Sequence, residues 1–256
     1  MLLIDQNIKA AEAGKAKIEM LLSESVKRKK LSEEEKIRLL KKVKTDASLE
    51  NISSSDLVIE AVFEDLNLKH NLYKKIEPHL KEGAILASNT STLPITKLSE
   101  VLADSTRFLG IHFFSPVDKM NLVELIKSEM TNDNALAVAL DYTSLIKKTP
   151  IVVNDSRGFY ANRCIIPYIN EGLRMLSEGI EPAVIENSAK QIGMPVGPLQ
   201  LLDELSVSLA LNVAKETKEA LGTKYEETGT ESILLEMSQK NRLGRKELAG
   251  FYEYDG

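Results

Sequence analysis

His112 and Glu124 are the two residues of this 256-residue sequence whose chemistry fits their surroundings least. Each lies in an apolar run of strand length, over 107–116 and 121–126, and turn residues close each run. Burying an ionisable side chain is costly unless a partner compensates for it. If the chain turns back on itself about Asp118, the two residues are equidistant from the turn and fall opposite each other.

A carboxylate beside an imidazole decides which ring nitrogen carries the proton, and it favours the protonated ring. Such a pair can take a proton from an alcohol, which is general-base chemistry. The alternative is a core histidine satisfied by a structural ion pair, because ion pairs of that kind also perturb ionisable groups. From these two residues alone, both interpretations stay open.

The composition excludes several classes of protein. With 43% hydrophobic residues the chain can bury a sizeable core, and a net charge of −5 gives no field that attracts nucleic acid. Cys164 is the only cysteine, which rules out an intrachain disulfide and favours a reducing compartment. No apolar run reaches the roughly 18 residues of a membrane span, and no signal-peptide pattern opens the chain. We therefore predict a cytoplasmic protein with no membrane, nucleic-acid or metal partner.

Apolar runs and helical patterns alternate along the first part of the chain. Strands are predicted at 1–5, 57–63, 84–88 and 150–154, and helices at 8–30, 64–80 and 138–148. After Asp155 the alternation stops, and amphipathic helices follow from 159 to about 238. This organisation predicts an α/β domain over 1–154 and an all-α domain over 155–256.

Four short motifs occur in a specific order: ASNTS at 87–91, HFF at 112–114, LVE at 122–124 and GFYANR at 158–163. Together they resemble the 3-hydroxyacyl-CoA dehydrogenase family, closest to the dehydrogenase part of the multifunctional fatty-acid-oxidation enzymes, and the resemblance extends across nearly the whole chain. It implies NAD-dependent oxidation of (3S)-3-hydroxyacyl-CoA to 3-oxoacyl-CoA in fatty acid β-oxidation. His112 would be the general base and Glu124 would orient it. Ser91 and Asn162 would hold the reacting oxygen, with Ser91 also near the cofactor.

The resemblance implies a Rossmann-type domain followed by a helical domain. In that fold the second strand ends in an acid that binds the adenosine ribose, here Asp5, and an acid there favours NAD over NADP. The G-x-G-x-x-G run expected roughly 20 residues before that acid occurs nowhere in the sequence. We therefore expect an N-terminally truncated Rossmann-type domain whose central strand is missing. Two inner sheet edges would then be unpaired, unless another segment or subunit fills the gap or the sheet closes up.

Other residues are assigned from the resemblance alone. Glu64 and Lys69 match residues near the nicotinamide-side ribose, although a helix N-terminal acid and its neighbour would look the same. Ser115 stands where the family usually has Asn, and Lys246 aligns with a cofactor-contacting lysine in a loop that departs from the family pattern. Arg28 belongs to a run of four basic residues that would meet the 3′-phosphate of coenzyme A, or would simply form a solvated helix end.

The resemblance also implies an acyl-CoA substrate, a homodimer paired through the helical domain, and a companion subunit in a fatty-acid-oxidation complex. An alternative is a cofactor-deficient remnant that binds acyl-CoA or serves as a structural subunit. The β-hydroxyacid dehydrogenases, built on a similar fold, are a third possibility that is less favoured because they rely on a catalytic lysine in the helical domain.

Overall fold

The computed structural model describes residues 1–225 and 229–255. It divides into two compact units, Met1–Tyr160 and Ala161–Gly256. Gly256, the predicted end of the helical domain, lies outside the described residues. No helix within the described ranges is long and apolar enough to cross a membrane.

The first unit alternates strands and helices, as the sequence predicts. Its strands are β1 (Leu2–Ile4), β2 (Lys44–Asp46), β3 (Leu57–Glu60), β4 (Ile85–Ser88), β5 (Phe108–Phe113), β6 (Leu122–Lys127) and β7 (Thr149–Asn154). Its α-helices are α1 (Ile8–Lys27), α2 (Glu33–Lys41), α3 (Leu66–Ile76), α4 (Ile95–Ser99) and α5 (Asp133–Leu145). Short 3₁₀ turns cover Leu49–Ser54, Glu77–His79 and Ser105–Arg107.

The strands form two separate sheets. A five-stranded sheet has the order β3-β4-β5-β6-β7, in which only β5 and β6 are antiparallel. A two-stranded parallel sheet pairs β1 with β2. Within the described residues β1 pairs only with β2 and β3 only with β4, so no strand joins the two sheets. The α/β class of this unit is confirmed, and the inner edges of β1 and β3 are unpaired as expected.

The inner strands β4, β5 and β6 of the five-stranded sheet are buried on both faces. On one face Phe108 packs with Tyr73 of α3 and Ile95 of α4. On the other face Leu109 and its neighbours pack against Ala135 of α5. A sheet covered on both faces carries continuous apolar runs rather than an alternating pattern. For this reason an acid or histidine within these strands stands out in the sequence.

Several predicted boundaries are corrected by local hydrogen bonds. β3 ends at Glu60 rather than at 63, because the Glu60 carboxylate accepts the amide of Val62 at 2.6 Å and the chain leaves the sheet; Phe63 is then 86% exposed. α5 begins at 133 rather than at 138, because the Asn132 side chain caps it by accepting the Ala135 amide. α1 ends at 27 and α3 begins at 66, each a few residues inside its predicted bound.

The second unit is helical, as predicted. It contains α6 (Ala161–Ser177), α7 (Pro182–Gln191), α8 (Pro198–Leu205), α9 (Val207–Leu221) and α10 (Glu231–Gln239), with 3₁₀ turns at Gly222–Lys224 and Arg245–Glu247. Leu173, Leu199 and Leu202 belong to its apolar core. α6 and α8 approach closely at Gly172, where a Cβ atom would lie 2.4 Å from Pro198 Cγ.

Candidate active site

The antiparallel pairing of β5 and β6 brings the two ionisable residues together. The register places His112 directly opposite Glu124, with Nδ1 of the ring 2.7 Å from Oε2 of the carboxylate. Their side chains are 6% and 0% exposed. The predicted juxtaposition is therefore confirmed. An ionised carboxylate can only accept hydrogen bonds, so the neutral ring carries its proton on Nδ1 and keeps its lone pair on Nε2.

The orientation of the ring is fixed from several sides. The second carboxylate oxygen of Glu124 accepts the backbone amide of Tyr160 at 3.0 Å, so Glu124 is itself held in place. The His112 ring lies against Phe114 and Phe159, with centroid distances of 4.7 and 6.0 Å. A base whose rotamer and tautomer are set in advance is suited to proton transfer.

Ser91 lies in the segment between β4 and α4, at the carboxyl end of the sheet, where doubly wound folds bind their ligands. Oε1 of Glu64 accepts the Thr90 hydroxyl at 2.6 Å and the amides of Ser91 and Thr92 at 2.8 and 3.0 Å. Asp155 accepts the first two amides of α4, those of Ile95 and Thr96, at 2.8 Å each.

A buried polar network lies beneath this segment. Lys69, whose side chain is 1% exposed, has its Nζ 2.9 and 3.2 Å from the two Glu60 oxygens and 3.2 Å from Glu64 Oε2. Glu60 also accepts the Tyr73 hydroxyl at 2.6 Å and the Ser88 hydroxyl at 2.8 Å. Glu60 was missed in the sequence analysis, although the run LVIEAVF gives the same signal of an acid among apolar residues that singled out Glu124.

This network shifts the protonation of its members. Burial by itself raises the pKa of the Glu64 carboxyl, but hydrogen bonds from Thr90 and the backbone, together with the Lys69 charge, bring it below its ordinary value. Burial, and then the neighbouring Glu60 charge, raises the pKa of the Tyr73 hydroxyl. Glu64 is therefore an anion at neutral pH, and Tyr73 is a hydrogen-bond donor.

The other predicted site residues belong to different elements of the two units. Asp5 is exposed at the end of β1, where its carboxylate accepts the Gln6 amide at 2.7 Å. Ser115 is exposed just after β5, and Arg28 is exposed at the end of α1. In the second unit, Asn162 lies in the first turn of α6 and Lys246 lies in the 3₁₀ turn Arg245–Glu247.

Across the described ranges, no group of three or more His, Cys, Asp and Glu side chains is placed to hold a metal ion. The residues present fit NAD in part. Asp5 follows the carboxyl end of β1 and Ser91 follows the carboxyl end of β4, and dinucleotides bind beyond the carboxyl ends of the strands in this fold. The glycine run that would cradle the diphosphate is not in the sequence.

Comparison with known families classifies the chain. Residues 1–156 match the 3-hydroxyacyl-CoA dehydrogenase NAD binding domain, and residues 158–254 match the 3-hydroxyacyl-CoA dehydrogenase C-terminal domain. The chain therefore belongs to the 3-hydroxyacyl-CoA dehydrogenase family of NAD-dependent oxidoreductases. The predicted family is confirmed.

Two groups of relatives illustrate this membership. The fatty acid oxidation complex subunit alpha of Shewanella amazonensis is 37% identical over 234 residues, which are 91% of this chain and 33% of the relative. The chain thus spans about a third of the length of the curated relatives it matches. Among solved structures, (S)-3-hydroxybutyryl-CoA dehydrogenase PaaH1 from Ralstonia eutropha has a TM-score of 0.90 at 35% identity, covering all of this chain and 90% of its own. M. tuberculosis FadB2 has a TM-score of 0.90 at 30% identity, covering 99% and 90%.

Proposed function

We propose that this chain oxidises (3S)-3-hydroxyacyl-CoA to 3-oxoacyl-CoA in fatty acid β-oxidation, with NAD as the cofactor. The observation that carries the proposal is the buried His112–Glu124 pair, joined at 2.7 Å through Nδ1 of the ring. This arrangement leaves Nε2 of His112 to accept a proton from the substrate hydroxyl.

The chain's own residues move the proton and hold the reacting oxygen. NAD, when bound, supplies the acceptor for the hydride that leaves C3 of the substrate. Nε2 of His112 takes the proton of the 3-hydroxyl, and the Glu124 carboxylate stabilises the imidazolium that forms. Ser91 and Asn162 donate hydrogen bonds to the same oxygen as it acquires carbonyl character. In the reverse direction the imidazolium returns the proton to the oxygen.

The remaining assignments concern binding. Asp5 holds the adenosine ribose, and its charge disfavours a 2′-phosphate. Arg28 meets the 3′-phosphate of coenzyme A. The other side chains assigned to the cofactor are Glu64, Lys69, Ser91, Ser115 and Lys246. Glu64 and Lys69 are engaged in the network described above, which orders the Ser91 segment that the cofactor would contact.

The test is reduction of acetoacetyl-CoA, followed through the loss of NADH absorbance. We expect saturable turnover with NADH and turnover with NADPH lower by about tenfold, because the Asp5 carboxylate repels a 2′-phosphate at the position of the ribose hydroxyls. An Asp5→Asn variant should narrow that ratio. Equal turnover with the two cofactors would remove Asp5 from the binding site, and no turnover with either would contradict the proposed function.

A second candidate is a cofactor-deficient member of the family that binds acyl-CoA or serves as a structural subunit. The candidates differ in whether NADH binds to a chain in which no G-x-G-x-x-G run occurs. Calorimetry distinguishes the two candidates directly. If acetoacetyl-CoA binds and NADH does not, the second candidate is correct; if both bind, the oxidoreductase proposal stands.

The assembly is also a proposal. The curated relatives are named as subunits of fatty acid oxidation complexes, which is consistent with a companion subunit for this chain. Sedimentation of the purified protein tests the predicted homodimer, because a single species at twice the 28.4 kDa chain mass is expected. A monomer at micromolar concentration would contradict the prediction. The cytoplasmic location stays a prediction.

A further inference from the structure

The segment that carries Ser91, residues 89–96, is fastened to the sheet by side chains at three points. We call it the Ser91 segment. Glu64, which follows β3, binds its middle through the Thr90 hydroxyl and the Ser91 and Thr92 amides. Asp155, which follows β7, binds its far end at the α4 amides, 2.8 Å each. The third fastening is at the first residue of the segment and joins it to β5, the strand that carries His112.

That third fastening is the side chain of Asn89. Its Oδ1 accepts the backbone amide of Phe113, the residue after His112, at 2.9 Å. The parallel ladder between β4 and β5 ends at the pair Ser88 and Gly110, so the backbones no longer bond each other beyond it. The side-chain oxygen of Asn89 continues the connection between the two strands. The backbone N–H of Asn89 donates to the backbone carbonyl of Glu60 at 2.8 Å.

The Asn89 bond is the direct link between the two groups that address the substrate oxygen. Ser91 lies two residues after Asn89, and His112 lies one residue before Phe113. Glu64 fixes the Ser91 amide on the far side of the same turn. The separation between Ser91 and His112 is therefore set by Asn89 on one side and by Glu64 on the other.

We propose that Asn89 is a positioning residue that sets the Ser91 segment in register with the His112 strand. The proposal rests on the proposed function, in which Ser91 and His112 act on one oxygen atom. A misplacement of the order of 1 Å in such a constellation lowers turnover by roughly 100-fold. Asn89 needs no contact with the substrate to have this effect. Its acceptor oxygen, and not its amide nitrogen, is the group that matters.

Two substitutions separate the acceptor from the size of the side chain. Asn89→Leu keeps the number and branching of the side-chain heavy atoms and removes the acceptor, and Asn89→Asp keeps the acceptor. We expect Asn89→Leu to lower kcat for acetoacetyl-CoA reduction by about tenfold or more, with KM changed by less than about threefold. Asn89→Asp should stay within about threefold of the unsubstituted protein. The pH dependence of kcat should keep its shape in Asn89→Leu, because the His112–Glu124 bond does not involve Asn89.

A measurement without substrate or cofactor gives an independent readout. Hydrogen exchange of the Phe113 amide, followed by NMR on the ligand-free protein, should be at least about tenfold faster in Asn89→Leu, and close to the unsubstituted rate in Asn89→Asp. The Leu109 amide, four residues earlier in β5, is the internal control and should be unchanged. Faster exchange at both amides would indicate general loosening of the strand and would overturn the proposal.

The outcomes separate this proposal from the proposed function. Unchanged exchange at Phe113 in Asn89→Leu, or a kcat equal to that of the unsubstituted protein, overturns the positioning role and leaves the dehydrogenase function intact. If the unsubstituted protein shows no turnover, the proposed function fails. Exchange at Phe113 and at the Ser91 amide then decides by itself whether Asn89 holds the segment in register.

Discussion

Replacing Glu124 with Gln turns one of the two acceptor oxygens of this side chain into an NH₂ donor. The carboxylate makes two hydrogen bonds, accepting His112 Nδ1 at 2.7 Å and the Tyr160 amide at 3.0 Å. A Gln side chain has only one acceptor oxygen, and its NH₂ group must face one of the two partners. If the NH₂ group faces the ring, Nδ1 becomes an acceptor, and the neutral ring then carries its proton on Nε2. That tautomer cannot take a proton from the substrate.

The expected loss follows from the same two bonds. If the Gln oxygen faces the ring instead, the tautomer is kept but the charge that stabilises the imidazolium is gone. A hydrogen bond to a charged group contributes about 1.5–3 kcal/mol, and 1.36 kcal/mol corresponds to tenfold in rate. We therefore expect kcat to fall by at least about tenfold, and by up to roughly 10⁴-fold if the tautomer is reversed. Because Gln has the same shape and removes a buried charge, Tm should change by no more than about 4 °C.

The assay is acetoacetyl-CoA reduction with NADH, with Tm measured on the same preparations. Glu186→Gln is the matched control. Glu186 is also a buried acid, 7% exposed, whose Oε1 accepts the amides of Leu199 and Gln200 at 3.0 Å each. The Glu186→Gln variant loses the same charge at the start of α8, outside the proposed site, so its kcat should equal that of the unsubstituted protein. A kcat for Glu124→Gln equal to that of this control would remove the pair from the mechanism.

Three further predictions concern the supports of the site and of the helical unit. Lys69→Met leaves the Glu60 carboxylate, which is 0% exposed, without its cation. The substitution should lower the free energy of unfolding, measured by urea titration, by about 3–5 kcal/mol. Adding Glu60→Gln to the same chain should recover most of that loss. The pKa of the Glu64 carboxyl is lowered in the folded state. The carboxylate therefore stabilises the fold at pH values above its ordinary pKa of 4.5, and this stabilisation is lost as pH falls through the folded-state pKa. The urea midpoints of the unsubstituted protein and of Glu64→Gln should accordingly converge in acid. In Gly197→Ala the new Cβ would lie 1.9 Å from Glu186 Oε2, so the carboxylate must move and Tm should fall by several degrees; an unchanged Tm would contradict the close approach.

The His112–Glu124 pair could be predicted from the sequence because two local facts determine it. Side chains in strands alternate with a period of two, and the turn about Asp118 is symmetrical with respect to both residues. Strands that are covered on both faces are apolar throughout, so a single ionisable residue in each run is conspicuous. No long-range information was needed.

Glu60 and Lys69 show where the sequence analysis stopped short. The acid in LVIEAVF gave the same signal as Glu124, but the groups that compensate for it come from α3, nine and thirteen residues later. A lysine among polar residues of a helix is ordinarily solvated, so nothing local indicates that Lys69 is buried. Its burial follows from how α3 packs against the sheet, which is a tertiary effect.

The Asn89 bond escaped the sequence analysis for a related reason. A polar residue after a strand is typical of any turn, and its partner depends on where the β4–β5 ladder ends. α5 begins five residues before its predicted start at 138. The Asn132 cap, with Asp133 in the first turn, explains why the helix begins earlier.

The central claim is that Nε2 of His112 is the base, held by Glu124 through Nδ1. The most direct test is His112→Asn, whose side-chain NH₂ can donate to Glu124 as Nδ1–H does, while the second ring nitrogen is absent. Acetoacetyl-CoA binding, measured by calorimetry, should stay within about threefold of the unsubstituted protein, and single-turnover reduction with NADH should be at least about 100-fold slower. Reduction within a few fold of the unsubstituted rate would show that another group transfers the proton and would contradict the account.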